Sequence, residues 1–277
     1  MERTAVYRSL GSYTEDEWIN PISGESKKLT PFWSEIKTVY MRRQFNKCVY
    51  CEKKMEGGGS ASADWDLEHF RPKGRIRAWK PKRGVTQTTV YNFPLGDAAD
   101  TGYYLLSYHP FNYAASCKTC NSTFKSDYFP VATARSLHHP LLEDYDGEGA
   151  YLPYPLGSRG DAPETLIQFE GAVAVPSISS DEDLTRFRRG CITIDFFGLN
   201  REGLLHARAD WLRDRVWNYV LRADAGEPGI ADNIAILRSE KSWFTNCTRC
   251  FLDLCASDRP KAIAMLSNLE SILATEI

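Results

Sequence analysis

The sequence predicts a mixed α+β protein with a zinc-braced core, an N-terminal helix and a mostly helical C-terminal module. Three observations support this prediction: two widely spaced CxxC pairs, short strand-like segments near them, and a helical pattern of apolar residues after about residue 179. At 277 residues the chain is long enough for one large domain or two small ones. We expect an N-terminal helical lead-in over residues 1–47, a core over 48–145 and a mainly helical module over 146–277.

Bulk composition excludes several classes of protein. Hydrophobic residues make up 43% of the chain and charged residues 25%, which is ordinary for a globular protein. No run approaches the ~18 to 20 apolar residues of a membrane span, and the first residues lack the apolar run of a signal peptide. We therefore expect a cytoplasmic protein with no membrane partner. Its eight cysteines should then be metal ligands or buried thiols rather than disulfides.

Charge is distributed unevenly along the chain. Residues 1–145 carry a net charge of +4 and residues 146–277 a net charge of −6, and no acidic residue lies between His69 and Gly96. The basic residues after His69 are candidates for contact with a polyanion, although such a run can also be a solvated loop. They are Arg71, Lys73, Arg75, Arg77, Lys80, Lys82 and Arg83. Lys125 could likewise meet a phosphate or lie exposed to solvent.

The spacing of apolar residues and the turn-forming residues predict the first elements of the chain. Apolar residues at helical spacing predict an amphipathic helix over 30–45, and the Gly- and Ser-rich residues 56–64 predict a flexible connection. Residues 66–70 should form a short strand. The basic and turn-rich residues 74–101 indicate a long exposed loop.

The later elements are predicted in the same way. The aromatic residues 103–108 indicate a strand-like run that belongs to the core, and the second CxxC should open a short helix. Seven Gly and Pro residues within 144–163 indicate the connection to a second region. Helical periodicity is clearest over 201–222. Further helices are predicted over 231–238, 242–255 and 259–274.

The two CxxC pairs are typical of a structural zinc site. Cys48 and Cys51 form the first pair, and Cys117 and Cys120 form the second. Each CxxC turn brings two sulfurs to one ion, so two turns supply the four ligands of a closed tetrahedral site; four buried thiols are the alternative. A third CxxC, Cys247 with Cys250, has Cys255 nearby and apolar surroundings, which favours buried thiols there.

Polar residues beside these pairs could perform hydrolysis of a phosphodiester. His69 could act as the base, because an imidazole titrates near neutral pH. Glu68 and Asn121 offer oxygen ligands, which suit Mg²⁺ or Mn²⁺. Adjacent strand residues point to opposite faces, so Glu68 and His69 can share a site only if the strand ends or bulges there. Asn112 could orient the His69 ring through its amide.

These residues together resemble the HNH (ββα-metal) nucleases. The resemblance rests on Cys48-x-x-Cys51, Glu68-His69 with Pro72, Asn112, Cys117-x-x-Cys120 and Asn121. The resemblance implies a DNA endonuclease in which His69 activates water and Asn112 orients the His69 ring. Glu68 and Asn121 would bind one catalytic metal. Products would carry 5′-phosphate and 3′-hydroxyl ends. Glu stands where Asp is common and Asn where the final His is common, which would make the chain an HNN variant.

Longer runs resemble the PtuB-type HNH subunits of Septu and related retron anti-phage systems, over about residues 30–210. The runs are Cys48-Val49-Tyr50-Cys51-Glu52, Glu68-His69-Phe70-Arg71-Pro72-Lys73, Cys117-Lys118-Thr119-Cys120-Asn121-Ser122 and Phe129-Pro130. This resemblance implies cleavage of DNA or RNA and a partner ATPase of the ABC/SMC type. Two other classes stay open on the residues alone: a zinc-stabilised nucleic-acid-binding module, or a partner-held module without intrinsic turnover.

Overall fold

A computed structural model describes residues 13–14, 17–19, 26–28, 33–55, 64–81, 89–139, 141–154 and 162–274. The chain forms two compact units, one built mainly from the first 160 residues and the other mainly from later ones. Both combine helices with small antiparallel sheets, so the predicted α+β class is confirmed. The predicted glycine-rich connection falls almost entirely outside the described residues, as do Lys82 and Arg83. No helix among the described residues is long and apolar enough to cross a membrane.

In its described residues, the first unit contains two small sheets, one α-helix and several short helical turns. A three-stranded meander, which the sequence did not predict, precedes the helix that it did predict. The elements are β1 (Tyr13–Thr14), β2 (Glu17–Ile19), β3 (Ser26–Lys28), α1 (Trp33–Arg43), β4 (Trp65–His69), β5 (Tyr113–Cys117) and a π-helical turn (Thr119–Lys125). The helix, the strand at 66–70 and the short helix at the second CxxC therefore agree with prediction to within a few residues.

Strands β4 and β5 form an antiparallel pair at the centre of this unit. A long connection, residues 70–112, joins the two strands, and we refer to the pair as the hairpin. Trp65 pairs with Cys117 at one end, and His69 pairs with Tyr113 at the other. Helix α1 packs on both strands. The hairpin therefore carries a zinc-type cysteine at one end and the candidate base at the other.

The prediction of a strand over 103–108 was wrong, although the prediction that this run belongs to the core is confirmed. Tyr104–Leu106 forms a 3₁₀ turn, stabilised by backbone hydrogen bonds from Leu106 N to Tyr103 O (2.9 Å) and from Ser107 N to Tyr104 O (3.1 Å). Tyr103 and Leu106 are fully buried. Local i→i+3 bonds satisfy the backbone of this run, so it needs no partner strand.

The described parts of the loop over 74–101, residues 74–81 and 89–101, are irregular as predicted, but they are not wholly exposed. Ile76 and Trp79 are buried, and Ile76 exchanges backbone hydrogen bonds with Ala99 (2.7 and 2.8 Å). Arg75, Arg77 and Lys80 lie between or beside these anchors and point to solvent. The apolar residues of the loop thus fix which way its basic side chains face.

The second unit is mainly helical and contains one hairpin that the sequence did not predict. Strands β6 (Ile167–Glu170) and β7 (Val173–Pro176) meet at a tight turn where Gly171 has a φ of +60°. The helices are α2 (Leu184–Phe196), α3 (Glu202–Asp210), a π-helical segment (Trp211–Trp217), α4 (Asn218–Asp224), α5 (Ile230–Arg238), α6 (Thr245–Ser257) and α7 (Arg259–Ala274). The long helix predicted over 201–222 is the continuous run from α3 to α4.

Four cysteines form a metal-type cluster at the end of the hairpin. The Sγ atoms of Cys48, Cys51, Cys117 and Cys120 all lie within 4.8 Å of one another. Four sulfurs at ~2.3 Å from one zinc ion would be separated by about 3.8 Å, so this donor set fits a tetrahedral Zn²⁺ site. Among the described residues it is the only such group of three or more His, Cys, Asp or Glu side chains. No cysteine is in a disulfide, and Cys247 donates its thiol to Gly171 O (3.2 Å) instead.

A buried glutamine ties the first cysteine turn to the hairpin. Gln44 donates from Nε2 to Ala115 O (2.7 Å) and accepts at Oε1 from Ala115 N (2.7 Å). Val49 N, within the CxxC turn, donates to the same carbonyl (3.1 Å). The outer edge of β5 is thereby bonded to the chain around Cys48, so hydrogen bonds of the Gln44 side chain and of the backbone bring the two cysteine pairs together.

Arg71 is buried in the core of the first unit. Its guanidinium forms an ion pair with Glu148 and lies 4.8 Å from the ring centres of Tyr103, Phe129 and Tyr145. Glu148 also accepts a hydrogen bond from the Tyr103 hydroxyl (2.8 Å). This burial argues against the predicted contact of Arg71 with DNA, because both charges are already paired inside the protein.

Zinc content tests the cysteine cluster. We expect native mass spectrometry to find one zinc per chain in the wild type. Cys120→Ser should lose most of this zinc and melt at least about 10 °C lower, because a structural zinc site contributes directly to folding. Cys247→Ser is the matched control and should keep its zinc. Wild-type protein without zinc, or equal zinc loss in both variants, would contradict the assignment.

Replacing Glu148 tests the role of Arg71. Glu148→Ala leaves a buried guanidinium without its carboxylate, so the free energy of unfolding should fall by about 3 to 5 kcal/mol. Asp253→Ala, which removes the partner of Arg238 in an exposed pair, should change it by less than about 1 kcal/mol. Denaturant unfolding measures both variants, and equal small losses would show that the buried pair is not structural.

Candidate active site

The end of β4 opens into one polar cavity. Its volume is about 470 Å³. The lining residues are Glu68, His69, Pro72, Lys73, Gly74, Arg75, Asp100, Lys125, Ser126 and Asp127. Because β4 ends at His69, the adjacent residues Glu68 and His69 both reach this cavity. The sequence required such a strand end if the two side chains were to share a site.

Close backbone contact shapes the floor of this cavity. Tyr103 N donates to Pro72 O (2.8 Å), which holds the turn after His69 against the core. A Cβ atom at Gly102 would lie 1.7 Å from Gly74 O and 2.4 Å from Pro72 O, so only glycine permits this approach. The lining segment 72–74 is therefore fixed from behind by residues 102–103.

The His69 ring is oriented by a backbone carbonyl. Its Nε2 lies 3.1 Å from Ser107 O, which also accepts a hydrogen bond from the Tyr113 hydroxyl. A carbonyl can only accept, so Nε2 carries the hydrogen and Nδ1 is the basic nitrogen. The ring also packs edge-on against Tyr113, with centres 5.0 Å apart. Burial, with smaller contributions from Lys73 and Lys125, lowers the pKa of His69 to about 3. The ring is therefore neutral near pH 7, but it is a weaker base than the imidazole titrating near neutral pH that the sequence predicted.

Glu68 is buried and already has a cationic partner. Its carboxylate forms an ion pair with Lys125 Nζ, and both side chains are almost completely buried. Burial raises the pKa of Glu68, and the nearby ammonium group of Lys125 opposes this shift. Lys125 is therefore placed inside the site, and its burial argues against the predicted surface contact with DNA.

Asn112 lies beneath the cavity and bonds to the backbone. Its Oδ1 accepts from Arg71 N (2.8 Å), and its Nδ2 donates to Arg71 O (3.0 Å) and Leu106 O (3.3 Å). The side-chain amide therefore fixes the turn that follows His69 and the turn that precedes Ser107. The sequence predicted that Asn112 orients the His69 ring directly, whereas these bonds act through the backbone on both sides of it.

Asn121 lies on the π-helical turn that packs beside β4 and is not among the residues that line the cavity. Its Nδ2 donates to Asp66 Oδ2 (3.4 Å), so its amide oxygen points away from Asp66. Asp66 also pairs with Lys118 and with Lys37 (3.9 Å). Asp66 and Glu68 are two residues apart on β4 and share the face turned to this helical turn.

The oxygen donors suit a hard cation better than zinc. Glu68 supplies a carboxylate and Asn121 an amide oxygen, and these are ligands that Mg²⁺ or Mn²⁺ accepts while keeping several waters. The soft thiolates lie at the other end of the hairpin. The four sulfur donors and these two oxygen donors therefore favour different kinds of metal ion.

The structure places the predicted basic residues in three environments. Lys73 and Arg75 line the cavity, Arg77 and Lys80 are exposed nearby, and Arg71 is buried.

The sequence did not indicate several residues that lie beside His69 or line its cavity. Ser107 acts through its main-chain carbonyl, which no residue type signals, and the contact of Tyr113 with His69 depends on the pairing register of β4 and β5. Asp127 likewise joins the cavity only through the fold.

Comparison with known proteins shows a similarity over part of the chain. The chain is 27% identical over 179 residues to the Septu protein PtuB of Bacillus mycoides (strain KBAB4). The matched region covers 63% of this chain and spans half the length of that protein. No family model and no solved structure matches the chain.

Proposed function

We propose that this protein is a metal-dependent endonuclease of the HNH type that hydrolyses phosphodiester bonds in DNA. The observation that carries the proposal is that four side chains line the same cavity: the oriented imidazole of His69, the carboxylate of Glu68 and the cations Lys73 and Arg75. A base, a metal ligand and phosphate-binding cations are the groups that such a hydrolysis requires. The strand–strand–helix order of β4, β5 and the π-helical turn supports the ββα-metal assignment, with the core over residues 48–145.

His69 is proposed as the general base. Because Ser107 O holds the Nε2–H, the lone pair on Nδ1 is the one that can take a proton from water. The neutral ring at pH 7 is in the correct protonation state for this step. Asn112 keeps the two backbone turns around the ring in place, which is a positioning role.

Glu68 and Asn121 are proposed to hold one Mg²⁺ or Mn²⁺, which would neutralise charge on the phosphate and the leaving oxygen. The ammonium group of Lys125 opposes the rise in the pKa of Glu68 that burial causes, and it thereby favours the ionised carboxylate, which is the form that binds a cation. Lys73, Arg75, Arg77 and Lys80 are exposed or line the cavity and are proposed to contact the DNA backbone, together with Lys82 and Arg83.

The biological setting is proposed from similarity. The likeness to a Septu protein PtuB supports a role in prokaryotic anti-phage defence, and the cavity beside His69 supports the nuclease part of this proposal. We further propose an ABC/SMC-type ATPase as partner, as the HNH subunits that this sequence resembles imply. A partner that restrains or activates cleavage would make the isolated chain less active than the complex.

Cleavage by purified protein tests the proposal. Supercoiled plasmid, linear DNA and tRNA are each incubated with and without Mg²⁺ or Mn²⁺. We expect DNA cleavage that needs the metal and leaves 5′-phosphate ends. His69→Ala should reduce the cleavage rate about 10²- to 10⁴-fold, because a general base contributes a factor of this size.

A second histidine provides the control for this experiment. His138→Ala removes an exposed imidazole that bonds to Tyr104, so its cleavage rate should equal that of the wild type. DNA binding that ignores both Mg²⁺ and His69→Ala, with no turnover under any condition, would instead support the binding-module alternative. Cleavage of tRNA alone would move the substrate from DNA to RNA.

A further inference from the structure

A carboxylate at the rim of the cavity holds two arginines. Asp127 lines the cavity that contains His69, and its carboxylate accepts hydrogen bonds from Arg75 Nε (2.9 Å) and from Arg77 Nε. Both arginines belong to the basic run that follows His69 in sequence. The side chains of Arg75 and Arg77 are 70% and 45% exposed, whereas that of Asp127 is 20% exposed. The acid is therefore the inner partner and the guanidiniums are the outer ones.

The bonded atoms show which way the guanidiniums face. Each arginine uses Nε, the nitrogen nearest its stem, to bind Asp127. Among the described residues, the two terminal nitrogens of Arg75 make no hydrogen bond or ion pair. Carboxylates and phosphates are usually bound by pairs of N–H groups on the guanidinium fork. A bond to Nε therefore leaves the terminal nitrogens of Arg75 directed outward and able to bind an anion.

Arg77 is fixed by three consecutive residues rather than by Asp127 alone. Its Nη2 donates to Ser126 Oγ (3.0 Å), and its guanidinium lies 4.3 Å from the centre of the Tyr128 ring. Its backbone N donates to Asp127 O (3.1 Å). The segment 126–128 thus holds the basic loop by main chain and side chain together.

The same segment is joined to the helical turn that carries Asn121. Ser126 N donates to Asn121 O (2.6 Å), and Ser126 has a φ of +44°, an uncommon conformation for a residue other than glycine. The turn at Ser126 leaves Lys125 buried against Glu68 and Asp127 at the rim. Distance between the arginines and the candidate metal ligands is therefore set by a short, firmly bonded stretch of chain.

From this arrangement we propose that Asp127 is a positioning residue that holds Arg75 and Arg77 ready to bind the backbone phosphates of a nucleic acid beside His69. The inference rests on the proposed function and adds a residue that acts through the two arginines. A free arginine loses much rotamer freedom on binding a phosphate, and a carboxylate fixed behind it reduces that loss.

The ionisation of Asp127 is consistent with this role. Partial burial works to raise its pKa, and the hydrogen bonds from Arg77 and Arg75 outweigh that effect, so the pKa lies below its ordinary value. The carboxylate therefore stays negatively charged at neutral pH and holds both arginines throughout that range.

The sign of one mutational effect separates positioning from simple charge. Asp127→Asn removes a negative charge from the rim, so a general electrostatic effect predicts tighter binding of DNA. Positioning predicts the reverse, because the amide binds the arginines less strongly. We expect the Kd for a short DNA duplex to rise about 3- to 30-fold, from the cost of ordering two long side chains.

The experiment measures fluorescence anisotropy of labelled duplex, single-stranded DNA and RNA without added divalent metal, at several salt concentrations. In Asp127→Asn the slope of log K against log salt should fall by about one to two units, since about 0.9 units are lost per phosphate contact. Asp253→Asn, which makes the same charge change at the exposed Arg238 pair, should bind as the wild type does. Asp127→Glu should restore part of the affinity.

A mutant cycle checks that Asp127 acts through the arginines. In an Arg75→Ala/Arg77→Ala background, adding Asp127→Asn should weaken binding no further. If Asp127→Asn unfolds the protein, Arg77→Lys tests the same claim, because lysine keeps the charge but has no Nε–H to share with Asp127. Unchanged or tighter binding in Asp127→Asn, or full additivity in the cycle, would overturn the proposal.

Parallel cleavage assays keep this inference separate from the proposed function. Asp127→Asn should raise KM for DNA and leave kcat at saturating DNA within about 3-fold of the wild type, because His69 and Glu68 are untouched. A wild type that binds DNA through Asp127 and the arginines but never cleaves it would overturn the nuclease and not the positioning role. If the wild type cleaves DNA and Asp127→Asn binds DNA as the wild type does, the positioning role is overturned and the nuclease is not.

Discussion

The pairing of β4 with β5 is the constraint on which the candidate site depends. Cys117 lies at one end of this five-residue ladder and His69 at the other, and strand geometry separates the two ends by about 13 Å. Four thiolates and the bonds of Gln44 fix the cysteine end. A slip of one residue would turn Glu68 away from the helical turn that bears Lys125 and Asn121. The cysteine cluster and the candidate site therefore share one strand register, because both are built on the pairing of β4 with β5.

Charged groups in this unit divide into buried pairs that build the site and exposed ones that face outward. Arg71 with Glu148 and Lys125 with Glu68 are buried and matched in sign. Such pairs are costly to break, so they determine where the turn after His69 and the helical turn must lie. Arg75 and Arg77 are left at the rim, with Asp127 behind them. The same run of basic residues thus serves the core, the cavity and the surface.

Local signals predicted much of this arrangement. The CxxC spacing identified the four cysteines that cluster, and the 3.6-residue period identified the helix at 33–43 and four of the five helical regions described after residue 179. The short hairpin at Gly171 was missed because two four-residue strands leave little pattern. The run at 103–108 was misread because aromatic residues are favoured in strands, whereas here burial and local hydrogen bonds fix a 3₁₀ turn. Pairings such as Lys125 with Glu68 span 57 positions, and no local pattern encodes them.

We propose that this protein holds two chemically distinct metal ions, zinc at the four cysteines and one Mg²⁺ or Mn²⁺ at the oxygen donors beside His69. Titration of the zinc-loaded protein with Mn²⁺, followed by electron paramagnetic resonance, tests it most directly. We expect one weakly bound Mn²⁺ per chain with zinc retained, and loss of that Mn²⁺ in Glu68→Gln. Mn²⁺ that stays entirely free, displaces the zinc, or binds equally well to Glu68→Gln would contradict it.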